Sequence, residues 1–200
     1  MNENRNKLFR LILTGILSGM AIILMMLEFP VAIFPPFYQL DFSDLPALVA
    51  GVFINPIYGV LVEGIKILLY LLIKPTQTAY IGELANFLIG VSFVLPISLL
   101  FKKSNKSLKK LIISLIVGTI SISVIGGLLN YFVLIKAYSY FYELPLNTII
   151  NMGTNIVPAI KNLFTFVLLA TVPFNFLKGL LVSIIFYFVY RSIHCKYCVE

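Results

Sequence analysis

Four apolar runs of bilayer-crossing length, at 8–27, 82–101, 111–135 and 174–190, constrain this chain more than any other feature of its sequence. Each comes close to the ~20 residues a helix needs to cross about 30 Å of hydrocarbon. A soluble domain is roughly half apolar and a quarter charged; this chain is 60% hydrophobic and 12% charged. The expectation is an all-α integral membrane protein, folded as a single transmembrane domain over residues 1–200. The first run is not read as a signal peptide, because it has spanning length and no small-residue cleavage site closes it.

The formal charge of +7 is not a nucleic-acid signal. The cations sit at membrane boundaries: Arg5, Lys7 and Arg10, then Lys102, Lys103, Lys106, Lys109 and Lys110, then Arg191 and Lys196. That is how cytoplasmic boundaries are marked, so both termini and the 102–110 loop are placed inside. The first run then exits near Glu28, and the 82–101 run must travel inward. Everything from 30 to 80 therefore begins and ends outside. Asn55-Pro56 is a turn signal in the middle of its apolar stretch, which splits it into two helices. The first is too short to span alone, and a re-entrant hairpin is the alternative there.

The expectation is a bundle of six transmembrane helices, about 8–28, 44–54, 57–73, 81–101, 110–136 and 174–191, with cytoplasmic N- and C-termini. The outer loops are 29–43, 74–80 and 137–173. The last contains Tyr138, Tyr140 and Tyr142, suited to an interface belt. It also contains an apolar run at 156–172 with Lys161 and Asn162, read as an outer-surface or partly embedded helix. A crossing there would put the C-terminus outside. No internal repeat is evident, which argues against a transporter built from two matching halves. Cys195 and Cys198, beside His194, lack a second ligand pair and are read as reduced tail thiols.

This topology gathers polar residues near one membrane face: Asp41, Ser43, Asp44, Glu83, Asn86, Asn130, Asn175 and Lys178. Polar groups inside membrane helices are expensive and by default mark a site. Amides offer both donor and acceptor, and the surrounding Phe, Tyr, Ile and Leu would supply burial. The combination suits a flat, largely apolar ligand with a polar edge. Each residue also has a structural reading. Asp44, just before Leu45-Pro46, reads chiefly as an N-cap. Glu63 and Lys66, three apart, share a helix face as an ion pair. Lys178 can snorkel to the interface, and Asn130 and Asn175 can bridge helices.

No Walker A motif, Gly-x-Ser-x-Gly or spaced metal set is present, and the only histidine is His194, so an enzyme is not expected. Polar residues do not thread the inner halves of the helices, so neither is a channel. Gly15-x-x-x-Gly19 makes a narrow face on the first helix. Such a face lets another helix approach closely, from the same bundle or from a partner.

The stretches 27–30 (LEFP), 40–48 (LDFSDLPAL), 59–66 (GVLVEGIK), 82–90 (GELANFLIG) and 173–179 (PFNFLKG) occur in order over nearly the whole chain. Together they resemble the riboflavin-specific S component of energy-coupling factor (ECF) vitamin transporters. The resemblance implies six helices in a bacterial plasma membrane and an outward-facing vitamin pocket. It implies riboflavin as transported ligand, with no cofactor. It also implies delivery across the membrane when coupled to a T subunit and two ABC-type ATPases. The family's ligand contacts would fall on Asn130, Asn175 and Lys178, and the first loop around Leu40 and Asp41 would close over the ligand; Glu83 and Asn86 join the expected ligand-binding residues by their place on the same membrane face. Gly15 and Gly19 stand where the family usually has an Ala-x-x-x-Ala contact for the T subunit. Lys136 and Gly64 also depart from the family pattern, away from these contacts. The alternatives are an S component for another vitamin or flavin analogue, or an assembly protein without a ligand.

Overall fold

The computed structural model describes residues 2–76, 79–103 and 107–197, with side chains from residue 4 to residue 193. The tail thiols and His194 lie outside the described side chains.

Helix α1 (Asn2–Met26) ends just before Glu28. A two-residue hairpin follows, β1 (Phe29–Pro30) against β2 (Gln39–Leu40), antiparallel, with Phe29 opposite Leu40 and Pro30 opposite Gln39. Helix α2 (Asp44–Ile54) has Pro46 in its first turn, where the missing N–H costs nothing. Its last turn, Ala50–Ile54, is a wide π turn. At 6 α-helical and 5 π-helical residues, it rises only about 16 Å. Asn55 then adopts extended backbone, and its side chain accepts from the Ile57 amide to start α3 (Pro56–Ile73). Helix α4 is Ile81–Lys102.

Helix α5 (Leu108–Phe141) contains a π turn at Asn130–Leu134, and its 34 residues make it about 51 Å long, more than a bilayer core needs. Helix α6 is Leu146–Thr154. Helix α7 runs from Leu163 through Phe166, a π turn at Val167–Thr171, and on through Val172–Tyr197. The 137–173 stretch, expected to be an outer loop, is therefore largely helical. The two ends of α7's early start have separate causes. Asn162 and Thr165 form a reciprocal capping box, each side chain accepting from the other's backbone N–H. The π turn then carries the chain into Pro173, which supplies no N–H and would crowd a regular preceding turn.

Among the described residues, five helices are long and apolar enough to cross a membrane: α1, α3, α4, α5 and α7. They pack in sequence, α1 on α3, α3 on α4, α4 on α5 and α5 on α7. Short α2 lies among them, against α1, α3, α4 and α7. Its Ala47, Leu48 and Ala50 join Val62, Phe93 and Ile122 in the main core. Gly59 is what admits it. A Cβ there would lie 2.9 Å from the Ala47 carbonyl oxygen, so no larger residue fits the α2–α3 contact. Outward faces carry exposed Ile, Leu and Phe, such as Ile16, Ile120 and Phe188, as lipid contact requires.

Candidate ligand-binding site

A cavity of about 410 Å³ opens at the end of the bundle where α1 stops. The walls come from the hairpin loop and from α3, α4, α5, α6 and α7. Two π turns shape one side. Asn130 begins the turn in α5, and Asn175 follows the turn in α7. The Asn130 amide donates to the Gly126 carbonyl at 2.8 Å, and the Asn175 amide to the Thr171 carbonyl at 3.0 Å. Each side chain is thereby held in one orientation, with its second N–H still available. Gly126 makes room for this. A Cβ there would sit 2.7 Å from Asn175 Nδ2.

Tyr38 ties the loop to both turns. Its hydroxyl lies 2.6 Å from Thr171 Oγ1 and donates to Asn130 Oδ1 at 3.4 Å. Its ring stacks on Phe174, centroids 5.0 Å apart. Burial pushes the Tyr38 phenol above its ordinary value, which keeps it a neutral donor. Tyr38→Phe is expected to lower stability by about 1 kcal/mol, because the buried Thr171 hydroxyl loses its partner. Thermal unfolding in detergent checks this, and a midpoint matching wild type would show that the hydroxyl contributes nothing.

Beneath the cavity lies a buried ionic network. Lys178 on α7 meets Asp41 Oδ2 at 2.9 Å and Asp44 Oδ2 at 3.3 Å. Lys66 on α3 meets Asp44 Oδ1 at 2.7 Å, Glu63 Oε2 at 2.6 Å and Ser43 Oγ at 2.8 Å. The Ser43 amide donates to Asp41 Oδ1. Glu63 meets Lys66 at ion-pair distance but without a directed hydrogen bond. Three carboxylates and two ammoniums thus link the hairpin loop to α2, α3 and α7. Helix α4 passes close behind, since a Cβ at Gly90 would fall on the Glu63 carboxylate.

The model for the substrate-specific component of ECF transporters matches residues 9–190. The chain belongs to this family. As an S component it is a transport subunit and not an enzyme. It is 34% identical over 181 residues to the riboflavin transporter FmnP of Bacillus subtilis (strain 168), covering 90% of this chain and 89% of that one. It is 35% identical over 193 residues to the riboflavin transporter RibU of Staphylococcus aureus (strain TCH60), covering 96% and 93%. A solved S component of a bacterial ECF transporter superposes with a TM-score of 0.70 at 32% identity, covering 95% of this chain and 98% of that one.

Of the residues expected at the S component's site, Glu83, Asn86, Asn130, Asn175 and Lys178 line the cavity. Asn86 Oδ1 is buried with no hydrogen-bond partner. Leu40 and Asp41 are not among the lining residues. Leu40 is buried against Phe34 and Phe174, and Asp41 sits behind Lys178 as its counter-ion. Asp44 is not a cap, because its carboxylate is committed to Lys66 and Lys178 and α2 has no side-chain cap. Lys178 turns inward to carboxylates rather than snorkelling outward. Gly15 and Gly19 are not buried in the bundle's packing. A Cβ at either would meet nothing within 4 Å. Tyr38, Gln39, Tyr70 and Phe174 also line the cavity and were not singled out from sequence. Their only advance signal was position, beside proline-rich or polar segments.

Proposed function

We propose that this S component captures riboflavin in the cavity, from the outer side of a bacterial plasma membrane, and delivers it across when coupled to a T subunit and two ABC-type ATPases. The observation that carries the reading is the pairing of Asn130 with Asn175. Two oriented amides stand on facing helices beside the stacked Tyr38 and Phe174 rings. A flat heteroaromatic ring with an amide-like edge is what such a wall recognises. The names of the relatives, riboflavin transporters covering most of this chain, point to the same ligand.

In this reading α2 counts as the sixth membrane helix, held by its neighbours rather than by its own length. Both termini are cytoplasmic, because Lys102, Lys103 and Arg191 lie at the helix ends opposite the cavity. The open, small-residue face at Gly15 and Gly19 is the proposed T-subunit contact.

Titrating the purified protein in detergent with riboflavin tests the reading through quenching of flavin fluorescence. Saturable quenching is expected, and its absence from folded protein overturns the proposal. Asn130→Ala should weaken binding by about 1–3 kcal/mol, since it leaves polar partners unpaired. An unchanged affinity would make Asn130 a purely structural residue.

A further inference from the structure

The bundle has a second recess, a groove between α5 and α7 that shares no residue with the ligand cavity. Its volume is about 470 Å³ and its open wall is entirely apolar. Ile112, Ile116 and Ile120 of α5 form one side, and Leu180, Ile184 and Phe188 of α7 the other. All six are exposed. Gly179 lets the two helices approach closely. A Cβ there would lie 2.9 Å from Ile122 Cγ2 and 3.3 Å from the Thr119 Cα. The Thr119 hydroxyl donates to the Leu115 carbonyl at 2.9 Å, so Ser183 is the donor in the 3.1 Å bond between Ser183 Oγ and Thr119 Oγ1. Both hydroxyl protons are thus spent inside the bundle.

Each wall ends in a cation, at the end of the bundle opposite the cavity. Lys109 stands one turn before Ile112 on α5, and Arg191 one turn after Phe188 on α7. At these spacings each shares its helix face with the wall residues. Both are exposed, and neither forms an ion pair among the described residues. Neither α5 nor α7 carries an Asp or Glu. From Lys109 to Ile120, and from Leu180 to Arg191, each helix rises about 16 Å. That is close to half of the ~30 Å hydrocarbon core, the depth of one leaflet. A positive mouth over an apolar slot one leaflet deep complements a molecule with an anionic head and an aliphatic chain.

We propose that the α5–α7 groove is a binding site for an anionic phospholipid, with an acyl chain lying between the two apolar walls and the phosphate between Lys109 and Arg191. The arginine offers paired N–H donors to the phosphate oxygens, and the lysine a point charge. In the orientation proposed above, this lipid belongs to the cytoplasmic leaflet, whose surface is negative. The site uses neither the cavity nor the Gly15–Gly19 face of α1, so lipid, vitamin and partner subunit can be bound together.

The chain contains no tryptophan, so one placed in the groove reports on its lipid neighbours alone. Phe188→Trp is the groove reporter. Phe9→Trp is the control, exposed on α1 beside Lys7 and Arg10 but outside the groove. Each full-length variant is reconstituted without vitamin in phosphatidylcholine vesicles, with increasing acyl-brominated phosphatidylglycerol or acyl-brominated phosphatidylcholine. Quenching of tryptophan fluorescence is the readout. In Phe188→Trp, brominated phosphatidylglycerol should reach half-maximal quenching at an about tenfold lower mole fraction than brominated phosphatidylcholine, the order that two cations supply at a bilayer surface. Adding Lys109→Gln and Arg191→Gln, both at exposed positions, should remove most of that difference. Phe9→Trp should show a clearly smaller one. Equal quenching by the two lipids in Phe188→Trp overturns the site, as does a preference that survives the double substitution. The same preference in Phe9→Trp also overturns it, because the attraction is then general to basic boundaries. Weak quenching by both lipids means that polypeptide, such as a second copy of the chain, covers the groove, and overturns it too. None of these outcomes bears on riboflavin capture, which flavin quenching tests separately.

Discussion

Replacing Lys66 by methionine is expected to destabilise the protein by about 3–5 kcal/mol, the effect of leaving buried charge without its partner. Lys66 is fully buried and is the closest cation to both Asp44 and Glu63. Methionine nearly matches its length, so the loss is electrostatic and not a cavity. Asp44 would keep only Lys178, at 3.3 Å, and Glu63 would keep no cation among its described ion pairs. The measurement is thermal unfolding in detergent against wild type. Adding Glu63→Gln to Lys66→Met should restore part of the loss, because it removes the orphaned charge. This non-additivity is the signature of direct coupling. A Lys66→Met variant that melts with wild type would mean that water reaches the network and that Asp44 and Glu63 do not depend on Lys66 for compensation.

The second large effect is expected at Lys178. Its ammonium carries three N–H donors, and two of them face Asp41 and Asp44. The residue also lines the cavity, which leaves a donor for the ligand. Lys178→Met should therefore act twice. It should lower thermal stability, and it should weaken riboflavin binding by about 100-fold, equivalent to roughly 3 kcal/mol. The comparison variant is Asp41→Asn, which loosens the loop–α7 link but leaves the ammonium in place. Its affinity loss should be clearly smaller. Equal losses in the two variants would show that Lys178 acts only by holding the loop, with no contact of its own to the ligand.

How far the site was legible follows from the cost of each residue type in a membrane. Asn86, Asn130 and Asn175 stand out in sequence because an amide in an apolar helix has to be explained by a partner or a ligand. Tyr38 and Phe174 do not stand out, because aromatic residues in such a chain are equally at home against lipid or at an interface. Only the fold stacks one on the other and brings the Tyr38 hydroxyl to Thr171. Asp44 shows the limit of local reasoning. Next to Leu45-Pro46 it has every mark of a helix cap, yet its partners are Lys66 and Lys178, far away in the chain. The start of α7 was hidden for a similar reason. Proline at 173 signals a break, and the π turn that accommodates it is not encoded by any residue pattern nearby.

The amino-acid sequence by itself determined that this chain enters a membrane as helices, roughly where the long ones lie, and that its polar residues collect toward one end. Those conclusions rest on hydrophobic run length and on the cost of burying polar groups, both of which are local properties. The tertiary structure alone decided which helices hold short α2, namely α1, α3, α4 and α7. It also decided that five charges close on one another beneath the cavity, and that Leu40 and Asp41 support the site from behind while Tyr38 and Gln39 face it. These depend on which helices meet and at what depth, and pairing energies between residues distant in the chain leave no mark in the order of the residues themselves.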